Sequence, residues 1–276
     1  MLNKVKSFAE FVIAFVRQFK TVSQQHGLRY GKAFAECWWI DWHVHRQEKK
    51  GRRRVECPIC GWTGYDFRML NCGWFSVPHV ECPQCFSHER HRMLHLYLKQ
   101  EQPDFFTEPG TVLHFAPERH VSDLIEQNPR LKCFATDYAR HMIAHCPGTA
   151  FQADMMNIPL KDNSIDLLFC LHVLEHVPDD RRGIIEMHRV LSSGGVAFIM
   201  VPFMMGWKKS EEFGEPDPQW FDHVRGYAPG DFADRLDVFQ YDAILPDSFL
   251  SREDCLKYRI PNSQVIYRCT KQGPSS

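Results

Sequence analysis

The chain has 276 residues, of which 44% are hydrophobic, 24% charged and 13% aromatic, a composition that supports a buried core and excludes a disordered protein. No stretch reaches the roughly 18 uncharged apolar residues of a membrane span. The net charge of −1 hides an uneven distribution: residues 1–100 hold 16 Lys and Arg against 8 Asp and Glu, while residues 101–276 hold 17 against 26, which points to two regions with different tasks.

An early apolar run, Phe11 to Val16, lies between Glu10 and Arg17 with no small-residue cleavage site after it, so a secretory leader is not expected. Four of the eleven cysteines fall in two Cys-Pro-x-Cys pairs. That favours a metal site in a reducing compartment over a disulfide framework, and a cytoplasmic location is expected.

Three regions are expected: a helical, aromatic stretch over 1–50, a zinc-ribbon module over 51–100, and an α/β domain over 101–276. From residue 2 to about 20, Val5, Phe8, Val12, Phe15, Val16 and Phe19 recur at helical spacing among Lys4, Lys6, Arg17 and Lys20, giving an amphipathic helix. Its apolar face either packs on the protein or a second copy, or lies on a membrane surface as a peripheral contact. Trp38, Trp39 and Trp42 precede the run Lys49, Lys50, Arg52, Arg53, Arg54. That run reads as a solvated linker, with nucleic-acid stacking as the alternative.

Cys57-Pro58-Ile59-Cys60-Gly61 and Cys82-Pro83-Gln84-Cys85 form two such pairs, with 21 residues between Cys60 and Cys82. Two cysteines three apart on a tight turn face one ion, proline sets the turn, and Gly61 lets backbone amides approach a sulfur. Four thiolates from Cys57, Cys60, Cys82 and Cys85 complete a tetrahedron and leave no position for water, so the expected Zn²⁺ is structural. Cys72, between the pairs, reads as a packed thiol. The following Ser87-His88-Glu89-Arg90-His91-Arg92 either binds an anionic substrate or joins the modules by salt bridges.

Beyond Thr111, short β-rich runs alternate with helical stretches, the pattern of a parallel sheet covered by helices. Strands are expected at Thr111–Phe115, Lys132–Thr136, Ala150–Ala153, Ile165–Leu171, Val196–Val201, Tyr241–Leu245 and Gln264–Cys269. Helices are expected to begin near Glu118, Ala139, Asp179 and Asp231, the last two being capping side chains. Ser193-Gly194-Gly195 reads as the stop of the helix ending at Leu191, Met204–Gly230 as a lid or substrate loop, and Gly273–Ser276 as a frayed tail.

The run Gln152-Ala153-Asp154-Met155-Met156-Asn157-Ile158-Pro159-Leu160, then Asp162 to Pro178 with Leu171-His172-Val173-Leu174-Glu175-His176, then Glu186, Arg189-Val190-Leu191 and Gly194-Gly195, resembles the class I S-adenosylmethionine-dependent methyltransferases over residues 110 to 270. The resemblance implies a Rossmann-like seven-stranded sheet that binds S-adenosyl-L-methionine. It implies that Asp154 and the Met155 amide bracket the adenine, that Asp137 accepts from the ribose hydroxyls, and that Leu171 and His172 line the same edge. After the first strand such enzymes carry an acidic residue and glycines, whereas this chain has His114-Phe115-Ala116-Pro117-Glu118-Arg119. Ala116 stands in place of the first glycine, and Glu118 is assigned to the cofactor's ammonium group.

Methyl transfer needs an aligned nucleophile and often a base. His223 is the expected base, Asp222 the group that orients it and Arg225 the substrate anchor, with His172 and His176 as alternative bases. Three functions follow: a methyltransferase of a small-molecule or glycan acceptor, an RNA methyltransferase using the basic first region, or a non-catalytic zinc-binding interaction protein on a decayed cofactor fold. Oligomeric state is not legible.

Overall fold

The computed structural model describes residues 8–71, 76–143 and 149–273. Cys72, the start of the first expected helix and the last three residues of the tail lie outside them. The chain forms two compact units, one of Met1–Arg92 with Ser251–Ile260 and one of Met93–Leu250 with Pro261–Ser276. The first differs from the expected division, because the helices and the cysteine region share one unit and a segment from the far end of the chain joins them.

In chain order the elements of the first stretch are α1 (Phe8–His26), α2 (Leu28–Lys49), β1 (Val55–Glu56), β2 (Thr63–Gly64), β3 (Arg68–Asn71) and β4 (Ser76–Glu81), followed by α3 (Glu89–Glu101). Then come β5 (Gly110–Phe115), α4 (Arg119–Ile125), β6 (Leu131–Asp137), β7 (Thr149–Gln152), β8 (Ile165–Leu171), α5 (Asp180–Val190) and β9 (Leu191–Met200). The chain closes with β10 (Glu211–Asp217), β11 (His223–Gly226), β12 (Gln240–Ile244), α6 (Arg252–Tyr258) and β13 (Ile266–Thr270).

In the first unit Gly27, at φ 92°, separates α1 from α2. The aromatic face of α1 packs on its neighbour: Phe15 stacks on Phe19 with centroids 6.0 Å apart and meets Trp38 edge-on at 5.9 Å. Val12, Ile13 and Val16 stay exposed. The basic run is a folded turn and not a linker: Arg52 Nη1 donates to Gln47 Oε1 (2.7 Å), Arg53 to backbone carbonyls, and Arg54 to Tyr65 Oη (3.2 Å). All three arginines, like Lys49 and Lys50, remain exposed.

The second unit is built on one sheet of order β12-β13-β9-β8-β5-β6-β7, all parallel except β13. All seven expected strands are present; the central ones, β5, β8 and β9, are apolar runs bounded by turn residues. Leu113, Phe115, Leu168, Cys170, Ala197 and Ile199 join Ile184, Met187 and Val190 of α5 in one buried core.

Asp179 caps α5, its Oδ1 accepting from the Arg182 amide at 2.9 Å. Asp231 does not cap a helix: only a 3-10 turn, Phe232–Arg235, follows it, and its carboxylate instead accepts from the Ser210 amide at 2.8 Å. The helix expected at Ala139 is the single 3-10 turn Arg140–Ile143. The stop before β9 is Leu191 itself, in extended conformation. Gly194, at φ 79°, lies inside β9, where its amide donates to Lys271 O (2.9 Å). Met204–Gly230, expected as a loop, contains the antiparallel hairpin of β10 and β11.

Candidate functional site at the carboxyl edge of the sheet

Connections run outward from β5 and β8 in opposite directions, so the crevice beyond their carboxyl ends is where an open α/β sheet binds a ligand. Register sets what lines it. Phe115 pairs with Thr136 and with Cys170, so Ala116, Asp137 and Leu171 emerge side by side. Ala116 leaves β5 at φ 43°, and its amide donates to Thr136 O (2.8 Å). The backbone thus follows a left-handed path that glycine takes freely and an L residue takes at a cost of about 1–2 kcal/mol. His114, 1% exposed, closes the turn by accepting at Nε2 from the Glu118 amide (3.3 Å).

Asp137 Oδ1 accepts from the Ala139 amide (2.7 Å), and Asp154 Oδ1 from the Met156 amide (2.8 Å). Each aspartate orders its own loop with one oxygen. Among the described residues the second oxygen of each makes no hydrogen bond, so both retain acceptor capacity for a ligand. The Met155 side chain is buried against α5, where a Cβ on Gly183 would come within 3.0 Å of its Cγ. What Met155 presents to the edge is therefore its backbone.

A buttress holds the loop after Met155. Glu186 Oε2 accepts from the Ile158 amide (3.0 Å) and pairs with Arg189 (2.8 Å), which also donates to Ile158 O, Leu160 O and Asp162. The Arg189 hydrogen bonds hold the Glu186 carboxyl below its ordinary value, outweighing its burial.

Beyond β8 lies a histidine-rich corner. His172, at φ 53°, donates its amide to Met200 O (2.8 Å), and its Nδ1 is 3.7 Å from Glu175 Oε1. Glu175 is buried. His176 meets His223 edge-on with centroids 4.7 Å apart, and its Nδ1 lies 3.4 Å from Asp222 O. Burial, with His176 nearby, pushes the His223 imidazole down to about 4, and burial also lowers His176. Phe221 and Asp222, at φ 59° and 60°, turn the chain so that His223 points inward.

Arg225 is 2% exposed. Its Nε donates to the Glu212 carboxylate (2.9 Å), Nη1 to Leu174 O (2.9 Å) and Val177 O, and Nη2 to Pro178 O (2.8 Å). It therefore ties the Leu174–Pro178 segment to the hairpin.

In the other unit, Cys57 Sγ lies 3.7 Å from Cys85 Sγ, and Cys60 Sγ lies 3.7 Å from Cys82 Sγ. Four sulfurs about 2.3 Å from one tetrahedral centre stand about 3.8 Å apart, so the spacing fits a metal. Backbone amides of Ile59 and Cys60 reach Cys57, the Trp62 amide reaches Cys60, and those of Gln84 and Cys85 reach Cys82. The Cys82 side chain, backed by Ser87 and these amides, lowers Cys57 to about 4. Gly61, at φ 73°, makes the first turn possible.

Residues 116–199 match the family model described as a methyltransferase domain. That stretch is similar to a methyltransferase domain, and it lies on the seven-stranded α/β sheet expected of the class I enzymes. Numbered within the sheet, the strands run 3-2-1-4-5-7-6 with the seventh reversed; the resemblance implied the seven strands. Solved structures with a similar fold include the YcgJ protein of Bacillus subtilis (16% identity, 67% of this chain and 100% of that one, TM-score 0.47). A putative methyltransferase in complex with the Trm112 activator from Haloferax volcanii is similar at 13% identity, over 67% of this chain and 92% of that one, with TM-score 0.49. So is a putative S-adenosylmethionine-dependent methyltransferase from Listeria monocytogenes at 17% identity, over 67% and 99%, with TM-score 0.46.

Within the second unit, Ala116, Asp137, Asp154, Met155, Leu171 and His172 meet at one edge, with His114 and Glu118 shaping the first turn. The acceptor-side assignments need correction. Arg225 is no substrate anchor, since its donors are used by a carboxylate and by backbone carbonyls. Asp222 does not orient His223 with its carboxylate; its carbonyl faces His176 instead. His223 stays neutral at pH 7 and is a weak base there, because burial disfavours its charged form. Within the segment Ser87–Arg92, Arg92 is fully buried over the Phe67 ring and donates to the carbonyls of Val80, Ser87 and Tyr258 (2.8–2.9 Å), so its guanidinium is used inside its own unit. Sequence reasoning missed the Glu186–Arg189 buttress, although the resemblance had singled out both residues.

Proposed function

We propose that the protein transfers a methyl group from S-adenosyl-L-methionine to a small-molecule or glycan acceptor, and that Cys57, Cys60, Cys82 and Cys85 bind a structural Zn²⁺. The observation carrying the catalytic part is the row of Ala116, Asp137, the Asp154–Met155 backbone and Leu171 at the switch point of the sheet. Asp137 supplies an acceptor oxygen for the ribose diol, Asp154 one for the adenine amine, and the Met155 amide a donor for the ring. Bound there, S-adenosyl-L-methionine supplies an electrophilic methyl group. The acceptor is then oriented by the segment His172–His176 and by β11, with Arg225 as a positioning residue that fixes one against the other.

The zinc assignment rests on the paired sulfur distances and on the donor set. Four thiolates leave the ion no open position, so its role is to hold the two knuckles together. The acidic balance of the second region favours a small acceptor over RNA. Titration calorimetry of the full chain with S-adenosyl-L-methionine tests the reading. Saturable binding of one equivalent, with label transfer from radioactive cofactor to a small-molecule fraction, is expected. No binding would return the protein to the non-catalytic interaction class, and label entering RNA would replace the acceptor class.

A further inference from the structure

Glu175, His176 and His223 each offer a ligand atom, and the three atoms lie within 4.8 Å of one another. Three ligands about 2.1 Å from a tetrahedral centre stand about 3.4 Å apart, so modest rotamer adjustment closes the set on an ion. The group is distinct from the four cysteines, which belong to the other unit.

The arrangement carries the features of a ligand set. Two imidazoles and a carboxylate form the donor combination that binds divalent first-row transition metals and leaves positions open. His176 Nδ1 faces the carbonyl of Asp222 at 3.4 Å. That contact directs the other ring nitrogen, Nε2, toward coordination, since ligating histidines usually donate their second N–H to a carbonyl or carboxylate. His172, 3.7 Å from Glu175 Oε1, orients the carboxylate in the same way.

A second observation comes from His223. The residue is only 7% exposed, and its Nδ1 is buried without a hydrogen-bond partner among the described residues. A buried polar atom left unpaired destabilises the fold, a cost that a ligand at this corner would offset. The backbone is also set for the site: His172, Phe221 and Asp222 are all left-handed without being glycine.

We infer that Glu175, His176 and His223 bind a divalent transition-metal ion at the acceptor side of the methyltransferase edge. Resting on the function proposed above, the inference narrows the acceptor to one with a hydroxyl oxygen that can occupy an open metal position. The hydroxyl loses its proton to solvent. Its oxygen then forms the O–C bond to the methyl carbon as the C–S bond breaks, leaving S-adenosylhomocysteine as a neutral thioether.

Cobalt(II) is the probe. The full chain is stripped of metal and titrated with Co²⁺, and visible absorption and metal content per chain are read together. The expected result is two equivalents per chain: one with intense thiolate-to-metal charge transfer, and one with only the weaker d–d bands of a nitrogen and oxygen site. His176→Ala, at an exposed position, and Glu175→Gln should each lose the second equivalent and keep the first. Wild-type protein that binds a single, thiolate-type equivalent overturns the inference, as does a second equivalent unchanged in both variants. Calorimetry with S-adenosylhomocysteine runs alongside. Retained binding in His176→Ala shows that the cofactor edge is intact, whereas failure of the wild type to bind it counts against the methyltransferase reading and leaves the metal count to be judged by itself.

Discussion

The cysteine knuckles and the histidine corner of the sheet both gather potential ligands within a few ångströms, yet they are built in opposite ways. At the knuckles each pair of sulfurs comes from one tight turn, and the backbone amides of that turn point at them. At the corner His176 and His223 come from different elements and are brought together by Arg225, which binds the carbonyls of Leu174 and Pro178 from inside the hairpin. The first arrangement depends on a few consecutive residues at each turn. The second depends on a buried cation located elsewhere in the chain.

The largest expected effect breaks the first arrangement. Cys57→Ser, or prolonged chelation, should remove metal-linked stability on the order of 10 kcal/mol. Hydrogen exchange would show β1–β4 losing protection while β5, β8 and β9 keep theirs. Uniform loss across both units would mean that the knuckles are not a separate cooperative element.

The matching break in the second arrangement is Arg225→Ala. It leaves the carbonyls of Leu174, Val177 and Pro178 without their donor and Glu212 with Arg235 alone, and should cost about 3–5 kcal/mol in denaturant unfolding, at roughly 1–3 kcal/mol for each buried acceptor left unpaired. A substrate anchor would instead raise KM with little change in stability, so the two measurements together decide between the roles.

Next comes the cofactor edge. Asp137→Asn should weaken S-adenosyl-L-methionine binding about tenfold, which corresponds to about 1.4 kcal/mol, with the thermal midpoint nearly unchanged. Acid sensitivity sharpens the comparison further. The Glu186 carboxyl is held below its ordinary value by Arg189, so the folded state takes up its proton at lower pH than the unfolded chain does. The pair stabilises fully above the ordinary carboxylate range, and that stabilisation is lost as the pH falls through the depressed value. Glu186→Gln should flatten this acid limb of stability measured against pH.

The smallest effect is at the first turn. Ala116→Gly relieves left-handed strain but loosens the unfolded chain, for a net gain of about 0.5 kcal/mol in unfolding measurements. A loss there would show that the methyl group packs against something the turn needs.

The middle of the sheet was legible because β5, β8 and β9 are apolar runs, and Ile165–Leu171 was bounded to the residue. The cysteine set was legible because each knuckle repeats the same Cys-Pro-x-Cys turn, and Asp154 because the amide it accepts from is two residues on. Arg225 was misjudged because its partners are mostly carbonyl oxygens, which carry no residue identity. A polar, aromatic stretch such as Trp220–Tyr227 reads as surface until those carbonyls are placed. The pairing of His176 with Asp222 and His223 likewise has no spacing signal across more than forty residues. Asp231 shows the opposite failure, since a side chain suited to capping found a better partner in Ser210.

The decapeptide Ser251–Ile260 belongs with the first 92 residues. Arg259 grips Asp66 through paired contacts of 2.9 and 2.6 Å, and Lys257 meets Glu56 at 2.8 Å. Each unit is therefore discontinuous along the polypeptide. During synthesis the ribosome must release the chain as far as Ile260 before the cysteine-bearing half can acquire its last helix, so the two halves mature together and neither is a cassette that a single gene junction could transplant.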